Sequence, residues 1–373
     1  MTKSMFLPTL RFSLLLALAV AAALLAGLTG AAAKEHGGHV YTLTNGAGGN
    51  QVAVFDRGND GTLTADGTVS TGGLGTGAGL GSQGALAVEG RQLLAVNAGS
   101  NSVSLFSIDN DGDPNLEHVA GSGGDMPISV TVHNNLVYVL NAGAPENITA
   151  FVIRGDDLSP LAGSTRALSG SAVGPAQVSF SPNGKLLAVT EKATNKIDTF
   201  IVGNDGLALG PTVQASVGQT PFGFGFGKHG TLIVSEAFGG APNASTVSSY
   251  DISRLGILDP VTESAPTTET AACWIAISNN GRYAYATNTG SSTVTGYHVA
   301  HDGSLSILDT DGITGRTPAG SAPIDAAFSG NTLYVLSAGT NTITTFEQHS
   351  DGSLINLGSV DGLPKGTVGL AAR

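Results

Sequence analysis

The segment LLAVTEKATNKIDTF, residues 186–200, joins an apolar strand through a short polar loop to a second strand of alternating residues. Similar segments recur as LLAVNAGSNSVSLF at 93–106 and YAYATNTGSSTVTGY at 283–297. Four more copies begin at Val40, Val137, Leu232 and Leu333. The copies are spaced about 49 residues apart on average, which indicates seven repeats of one supersecondary unit.

Each repeat contains four short strands, here named A to D in chain order. Four strands in a repeat of about 40 to 50 residues are typical of a β-propeller blade. The first repeat begins at strand B, and the segment GTVGLAAR at 366–373 resembles the A strands of the other repeats. We therefore predict an all-β, seven-bladed propeller in which the C-terminal strand completes blade one and closes the ring.

The N-terminus has the pattern of a secretory signal peptide. Lys3 and Arg11 precede an apolar run at 12–28, and small residues follow it. We predict a signal peptide at 1–33, a single propeller domain at 34–373, and a secreted or periplasmic protein without stable membrane insertion after cleavage. An uncleaved membrane anchor is the alternative, because the apolar run has nearly the length of a spanning helix.

The overall charge limits the partners of the folded domain. The predicted mature chain keeps all 28 acidic residues and loses only Lys3 and Arg11 of the 16 basic ones. Such an acidic surface argues against nucleic acid and anionic membranes as partners. The chain has one cysteine, Cys273, so no internal disulfide can form, and we expect a buried thiol.

Propeller geometry sorts the candidate site residues. The B–C loops and the D–A connections between blades lie on one face, here called the mouth face, and the A–B and C–D turns lie on the other. An alignment of the seven repeats places Glu191 and Glu236 one residue past the end of strand B in consecutive blades. We expect the two carboxyl groups to pair, which would raise one pKa and provide a general base. Solvated loop charges are the alternative.

Other residues on the mouth face suit a small-molecule pocket. Lys192 and Arg316 could stabilise an oxyanion, and the remaining candidates for substrate binding are Gln177, Asn195, Phe222, Trp274 and Asp325. Packing between blades would give the same aromatic residues. None of the eight histidines clearly faces the mouth, so we predict no histidine triad, no metal site and no cofactor.

Several segments resemble the seven-bladed β-propeller lactonase family, whose relatives include 6-phosphogluconolactonase-like and carboxymuconate-cyclising enzymes. They are GPAQVSFSPNGKLLAV at 174–189, DGSLSIL at 302–308 and DGSLINLGSV at 351–360. The resemblance covers about residues 39–373 and implies this fold. Better-known members have Pro-His at the start of an A strand and then a loop Asp-Leu-Gly-x-Asp. Here Ala176 replaces the histidine, and only Glu191 and Asn195 correspond to the loop's polar ends.

Two functions follow from these observations. The first is an exported lactonase-like hydrolase of a small lactone or cyclic ester, in which Glu191 and Glu236 activate water and Lys192 or Arg316 stabilises the oxyanion. The second is a non-catalytic extracytoplasmic propeller that binds a small ligand or a protein partner on its mouth face. A quinone-cofactor dehydrogenase finds little support, because those propellers use repeated tryptophans and this chain has one.

Overall fold

This computed structural model describes residues 1–2 and 37–373. The described residues form seven antiparallel sheets. In each sheet strand A lies innermost, and strands B, C and D follow outward. In order from blade one to blade seven, the A strands are Val368–Ala372, Leu86–Glu89, Pro127–His133, Pro175–Phe180, Pro221–Phe226, Ala272–Ile277 and Pro323–Ser329. The B strands are His39–Leu43, Gln92–Asn97, Leu136–Asn141, Leu186–Glu191, Leu232–Glu236, Tyr283–Asn288 and Thr332–Ser337.

The two outer strands of each blade complete the same pattern. The C strands are Gln51–Arg57, Ser102–Ile108, Asn147–Arg154, Lys196–Val202, Thr246–Ile252, Thr293–Val299 and Thr342–Gln348. The D strands are Leu63–Ser70, Pro114–Gly121, Asp157–Pro160, Ala208–Ala215, Leu258–Pro266, Leu305–Ile307 and Leu354–Val360. Blades three and six add the short strands Arg166–Ala167 and Gly315–Arg316, and a 3-10 turn, Phe238–Gly240, lies between strands B and C of blade five.

The C-terminal strand closes the ring as predicted. Val368–Ala372 pairs antiparallel with His39–Leu43, so the first blade is built from both ends of the domain. This pairing leaves no open sheet edge between the first and the last blade. The predicted seven-bladed propeller is therefore confirmed, and residues Gly37–Arg373 form one compact unit.

The predicted signal peptide at 1–33 falls almost wholly outside the described residues, so its cleavage and the domain boundary at 34 stay predictions. Within residues 1–2 and 37–373, no helix has the length and apolar character needed to cross a membrane.

Apolar B and C strands form the interior of the blades, and polar D strands face solvent. Buried tyrosines of B strands join consecutive blades, because their hydroxyls donate to glycine carbonyls in the C–D turn of the next blade. The pairs are Tyr41 with Gly112, Tyr138 with Gly206, Tyr285 with Gly352 and Tyr334 with Gly61, at 2.7–2.9 Å. Each of these glycines directly follows an aspartate and has a positive φ, a conformation that favours glycine over other residues.

The observed strand register corrects the repeat alignment by one residue in blades four and five. Pro175 pairs with Glu191 and Pro221 pairs with Glu236, just as Pro127 pairs with Asn141 in blade three. The two glutamates therefore end strand B, rather than following it. Their equivalents in the other blades are Thr44, Asn97, Asn141, Asn288 and Ser337.

Candidate functional site

Glu191 is fully buried beneath the mouth face. Its carboxyl group accepts hydrogen bonds from the Ser169 backbone N–H at 3.0 Å, the Ser169 hydroxyl at 2.6 Å and the Thr194 hydroxyl at 2.5 Å. Ser169 lies in the connection between blades three and four, and Thr194 lies in the B–C loop of blade four. The carboxyl group thus fixes two loops of the mouth face from below.

Asp198 is the acid that contacts Glu191. It lies two residues into strand C and is also fully buried. Burial raises the pKa of Asp198 to about 8, the Glu191 carboxyl adds to the rise, and the Ser169 N–H and the Lys196 ammonium partly oppose it. Two carboxyl groups in contact inside a protein are stabilised when they share a proton. Blade four therefore contains a buried acid pair.

The sequence reasoning missed Asp198, although the repeat contains the signal. The other six blades have small or hydroxyl-bearing residues at this position, namely Ala53, Ser104, Thr149, Ser248, Thr295 and Thr344. An acid at one of seven equivalent interior positions marks blade four as unusual.

Glu236 is also fully buried, but hydroxyl and amide donors surround it. Its Oε1 accepts hydrogen bonds from the Gly218 N–H and the Ser248 hydroxyl, at 2.8 and 2.7 Å. Its Oε2 accepts from the Thr246 hydroxyl and, at 3.4 Å, from the Ser264 hydroxyl. No hydrogen bond links the Glu191 and Glu236 carboxyl groups in the described residues. The expected pair is thus replaced by Glu191 with Asp198, because each glutamate points into its own blade.

Lys192, Phe222 and Trp274 do come together at the channel mouth. The Lys192 Nζ lies 4.5 Å from the centroid of the Phe222 ring and donates a hydrogen bond to the Gly81 carbonyl. The Phe222 and Trp274 rings are tilted, with centroids 5.0 Å apart. The Trp274 Nε1 donates to the Ser82 carbonyl at 3.0 Å. The Lys192 amine thus lies over the Phe222 ring, next to the backbone of residues 81–82.

Burial changes the acidity of two groups at this place. It lowers the pKa of Lys192 to about 8, so a sizeable neutral fraction exists near physiological pH. It raises the pKa of Cys273 to about 11, although Thr289 and Lys192 both favour the thiolate. The expected buried thiol is confirmed, and it is too weakly acidic to serve as a nucleophile at neutral pH.

A glycine-rich segment, residues 79–84, crosses the channel and is here called the plug segment. The Gln83 N–H donates to the Ala176 carbonyl of blade four at 3.1 Å, and its Nε2 donates to the Ile275 carbonyl of blade six at 2.9 Å. The Val130 N–H of blade three donates to the Gly84 carbonyl at 2.8 Å. The segment precedes blade two and bonds to three other blades, so it closes the centre of the ring.

A pocket of about 220 Å³ lies between the plug segment and blades six, seven and one. Its lining is mostly apolar and consists of residues 79–82, Trp274, Ile324, Ala338, Val368 and Gly369. Lys192 contacts this pocket's wall at Gly81. The pocket is small and concave, with one amine at its edge, which suits a small molecule.

Two predicted binding residues, Gln177 and Asp325, have structural roles. Gln177 joins the A strands of blades four and five, because its side chain donates to the Phe224 carbonyl at 3.0 Å and accepts from the Phe224 N–H at 2.7 Å. Asp325 accepts the N–H of Ala326 at 2.8 Å and of Leu370 at 3.1 Å, and burial raises its pKa to about 7. Both side chains tie blades together around the channel.

The two remaining predictions, Asn195 and Arg316, lie at the surface. Asn195 has a φ of 56°, and its Oδ1 accepts the Thr220 N–H at 2.7 Å. Asn101 plays the same part in blade two, where its Oδ1 accepts the Met126 N–H at 2.8 Å, so this asparagine belongs to the loop design. Arg316 is exposed on the short outer strand of blade six.

A family model described as "Lactonase, 7-bladed beta-propeller" matches residues 243–367. The match covers about a third of the chain, and the seven-bladed fold that the model describes is the fold of the whole described domain. A periplasmic gluconolactonase of Pseudomonas aeruginosa superposes with a TM-score of 0.64 at 19% identity, covering 88% of this chain and 98% of that one. A protein of Bacteroides uniformis, described as a candidate 6-phosphogluconolactonase, gives 0.71 at 18% identity, covering 90% and 98%.

A protein of Lactobacillus plantarum gives a TM-score of 0.71 at 19% identity, covering 90% of this chain and 99% of that one. No curated protein matches the chain. Identities this low establish the fold that these proteins share, and activity depends on the site that each one carries.

Proposed function

We propose that this protein is an exported hydrolase of a small lactone or cyclic ester, with its site at the channel mouth. The observation that carries the proposal is the position of Lys192, an amine of lowered pKa beside Phe222, Trp274 and the apolar pocket. The family resemblance and the gluconolactonase-like fold support the same reaction class.

The neutral Lys192 amine is the general base of the proposed reaction. It takes a proton from a water molecule while the water oxygen attacks the lactone carbonyl carbon, and the carbonyl π electrons move to oxygen. The tetrahedral intermediate then collapses, the ring C–O bond breaks, and the leaving alkoxide takes the proton back from the Lys192 ammonium. Water is consumed and the open hydroxy acid leaves. A base with a pKa near the working pH is well suited to this transfer.

The other predicted residues support this site in different ways. Phe222 and Trp274 would hold the apolar edge of the substrate ring. Glu191 and Glu236 are too deeply buried to contact a substrate. We therefore assign Glu191 a positioning role, since it directly precedes Lys192 and holds the Lys192 loop in place, and we assign Glu236 a structural role in blade five.

A hydrolysis assay of the purified protein against a panel of aliphatic lactones tests the proposal. Lys192→Met should abolish enzymatic turnover, and Lys192→Arg should do so too, because an arginine stays protonated and cannot act as a base. The value of kcat/KM should rise with pH and level off above about 8. Turnover that survives in Lys192→Met would refute this assignment.

A second candidate, a ligand-binding propeller without turnover, is favoured by the burial of both glutamates, which removes the predicted carboxylate base from the mouth. In that case small lactones or hydroxy acids should quench Trp274 fluorescence without being consumed, and Trp274→Phe should abolish the signal. The chain has one tryptophan, so the assignment of this signal is unambiguous.

Export is a separate part of the proposal and rests on the N-terminal signal. Expression of the full chain in a Gram-negative host should give a periplasmic product whose first residue lies close to position 34, as read by mass spectrometry. A product that keeps residues 1–33 in the membrane fraction would favour the anchor instead.

A further inference from the structure

The face opposite the mouth has a groove lined with basic side chains, here called the basic groove. It has a volume of about 240 Å³ and lies between the A–B turn of blade five and the A–B and C–D turns of blade six. Its charged and titratable lining residues are Lys228, His229, Arg282, His298 and His301. They include three of the eight histidines in the chain.

This groove is unusual for so acidic a protein. The chain has 28 acidic and 16 basic residues, yet the lining of the groove contains no aspartate or glutamate. The neighbouring acid in sequence is Asp302, which is already bonded to the Ser304 N–H at 3.0 Å and the Ser304 hydroxyl at 2.7 Å. Positive charge is therefore concentrated in the groove lining. The Asp302 carboxylate is bonded mainly within its own turn, and it also attracts His301.

The turns hold the basic side chains in place by packing. Gly281 has a φ of 72°, and a Cβ at this position would lie 2.8 Å from the Cγ of Lys228, so the Lys228 stem lies directly over the glycine. The Arg282 guanidinium carbon lies 5.7 Å from the centroid of the Tyr283 ring, and His298 packs edge-on against that ring at 5.8 Å. One tyrosine thus supports two of the basic groups.

His229 and His301 come from different blades and lie against each other, with ring centroids 4.7 Å apart. At this spacing the two rings are in contact, so a ligand would bind against both rings rather than between them. A lining of imidazoles, Lys228 and Arg282 without a carboxylate favours a negatively charged ligand.

The fold itself does not require this cluster. Blade four has the same A–B turn as blade six, since the Ser181 hydroxyl bonds to Asn183 at 2.9 Å and the Ser278 hydroxyl bonds to Asn280 at 2.8 Å. The glycine and the basic residue that follow, Gly184 and Lys185, correspond to Gly281 and Arg282. The C–D turn of blade four, at 203–206, contains no histidine. The equivalent groove thus keeps the turn without the paired imidazoles.

We propose that the basic groove binds a phosphate group, either as the free ion or as the monoester of a small molecule. The Arg282 guanidinium offers paired N–H donors that match phosphate oxygens, and Lys228 adds a second cation. The imidazole N–H groups of His229, His298 and His301 add further donors.

The site is independent of the proposed lactonase site, because it lies at the other end of the channel. Lys192→Met, which should abolish hydrolysis, leaves phosphate binding unchanged. Failure of either proposal therefore leaves the other standing.

Titration of the full chain with inorganic phosphate, followed by calorimetry and by the histidine Cε1–H resonances, tests the proposal. We expect saturable binding at pH 6. The double variant Lys228→Gln, Arg282→Gln should lose at least about tenfold in affinity at pH 6. The matched control Lys185→Gln should bind as the wild type does.

A second pair of measurements separates the contributions. His229→Gln, His301→Gln should weaken binding at pH 6, and phenyl phosphate in place of inorganic phosphate shows whether a monoester is accepted. The proposal is overturned by non-saturable binding at pH 6, by equal losses in the Lys185→Gln control and the groove variant, or by histidine resonances that do not move. The resonances of the wild type need no variant, so they decide the matter even if a variant fails to fold.

Discussion

Blades four and five place a glutamate at the same interior position but differ in one of its neighbours. In blade five, Ser248 donates to Glu236 at 2.7 Å, and further hydroxyl and amide donors complete its environment. In blade four, the residue equivalent to Ser248 is Asp198, an acid whose pKa is raised to about 8. Both glutamates thus accept hydrogen bonds from hydroxyl and backbone N–H groups, but only Glu191 also contacts another acid.

This difference shows that the neighbouring residue in each blade, rather than the glutamate itself, determines how a buried acid affects the protein. A carboxyl group that accepts several hydrogen bonds stabilises the loops around it. A carboxyl group that contacts another one makes its blade sensitive to pH. Blade four is also the blade that carries Lys192, the proposed base, so this pH sensitivity lies directly beneath the proposed site.

The largest expected effect on stability comes from removing Glu236. Glu236→Ala should lower the free energy of unfolding by about 3–5 kcal/mol, because it leaves several buried donors without an acceptor. Urea unfolding at pH 7 measures this loss. Glu263→Ala, at an exposed glutamate in the same blade, is the control and should change stability by less than about 0.5 kcal/mol. Equal effects would show that Glu236 is not a structural acceptor.

The second largest effect on stability is expected when blade five is given an acid pair like that of blade four. Ser248→Asp places a second carboxyl group against Glu236 and removes one of its donors. We expect a loss of about 2–4 kcal/mol at pH 8 that becomes smaller at pH 5, where the new pair can hold a proton. A loss that does not change with pH would mean that packing, rather than charge, distinguishes the two blades.

The reverse change should stabilise blade four. In the unfolded chain Asp198 loses its proton near 3.8, and in the folded protein near 8, so its contribution to stability is complete below about pH 4 and is lost as the pH rises to about 8. Asp198→Thr, which copies Thr149 and Thr295, removes this loss. The variant should be about 2 kcal/mol more stable than wild type at pH 8.5, with a smaller gain at pH 5. A variant less stable than wild type at pH 8.5 would contradict the acid pair.

The fold could be predicted from the sequence because its signals repeat. Seven copies of one strand pattern and a C-terminal segment without a partner are enough to specify the number of blades and the closure of the ring. Register is harder, because a shift of one residue changes which face a side chain occupies. The repeat alignment matched the ends of the apolar strand segments, such as LLAV at 93–96 and LLAV at 186–189, and it misplaced Glu191 and Glu236 by one position.

That shift explains most of what the sequence could not predict about the site. Lys192, Phe222 and Trp274 come together as expected, because loop and strand-start residues reach the mouth in any register. Glu191 and Glu236 point into their own blades, and Asp198, within a strand, was overlooked. The plug segment could not be predicted, since it is an extended stretch of the connection before blade two and its partners lie in blades three, four and six.

The B–C loops provide the smallest test of the comparison. Blade four turns tightly at 192–195, with Asn195 at a φ of 56°, whereas blade five uses the longer loop 237–245. Asn195→Ala should cost about 1–2 kcal/mol, because alanine tolerates this backbone poorly and cannot accept the Thr220 N–H. Asn195→Asp keeps the acceptor and tolerates the conformation, so it should stay within about 0.5 kcal/mol of wild type. If both variants lose the same amount in thermal unfolding, the amide group itself is needed, and the loop of blade four is held by more than its backbone.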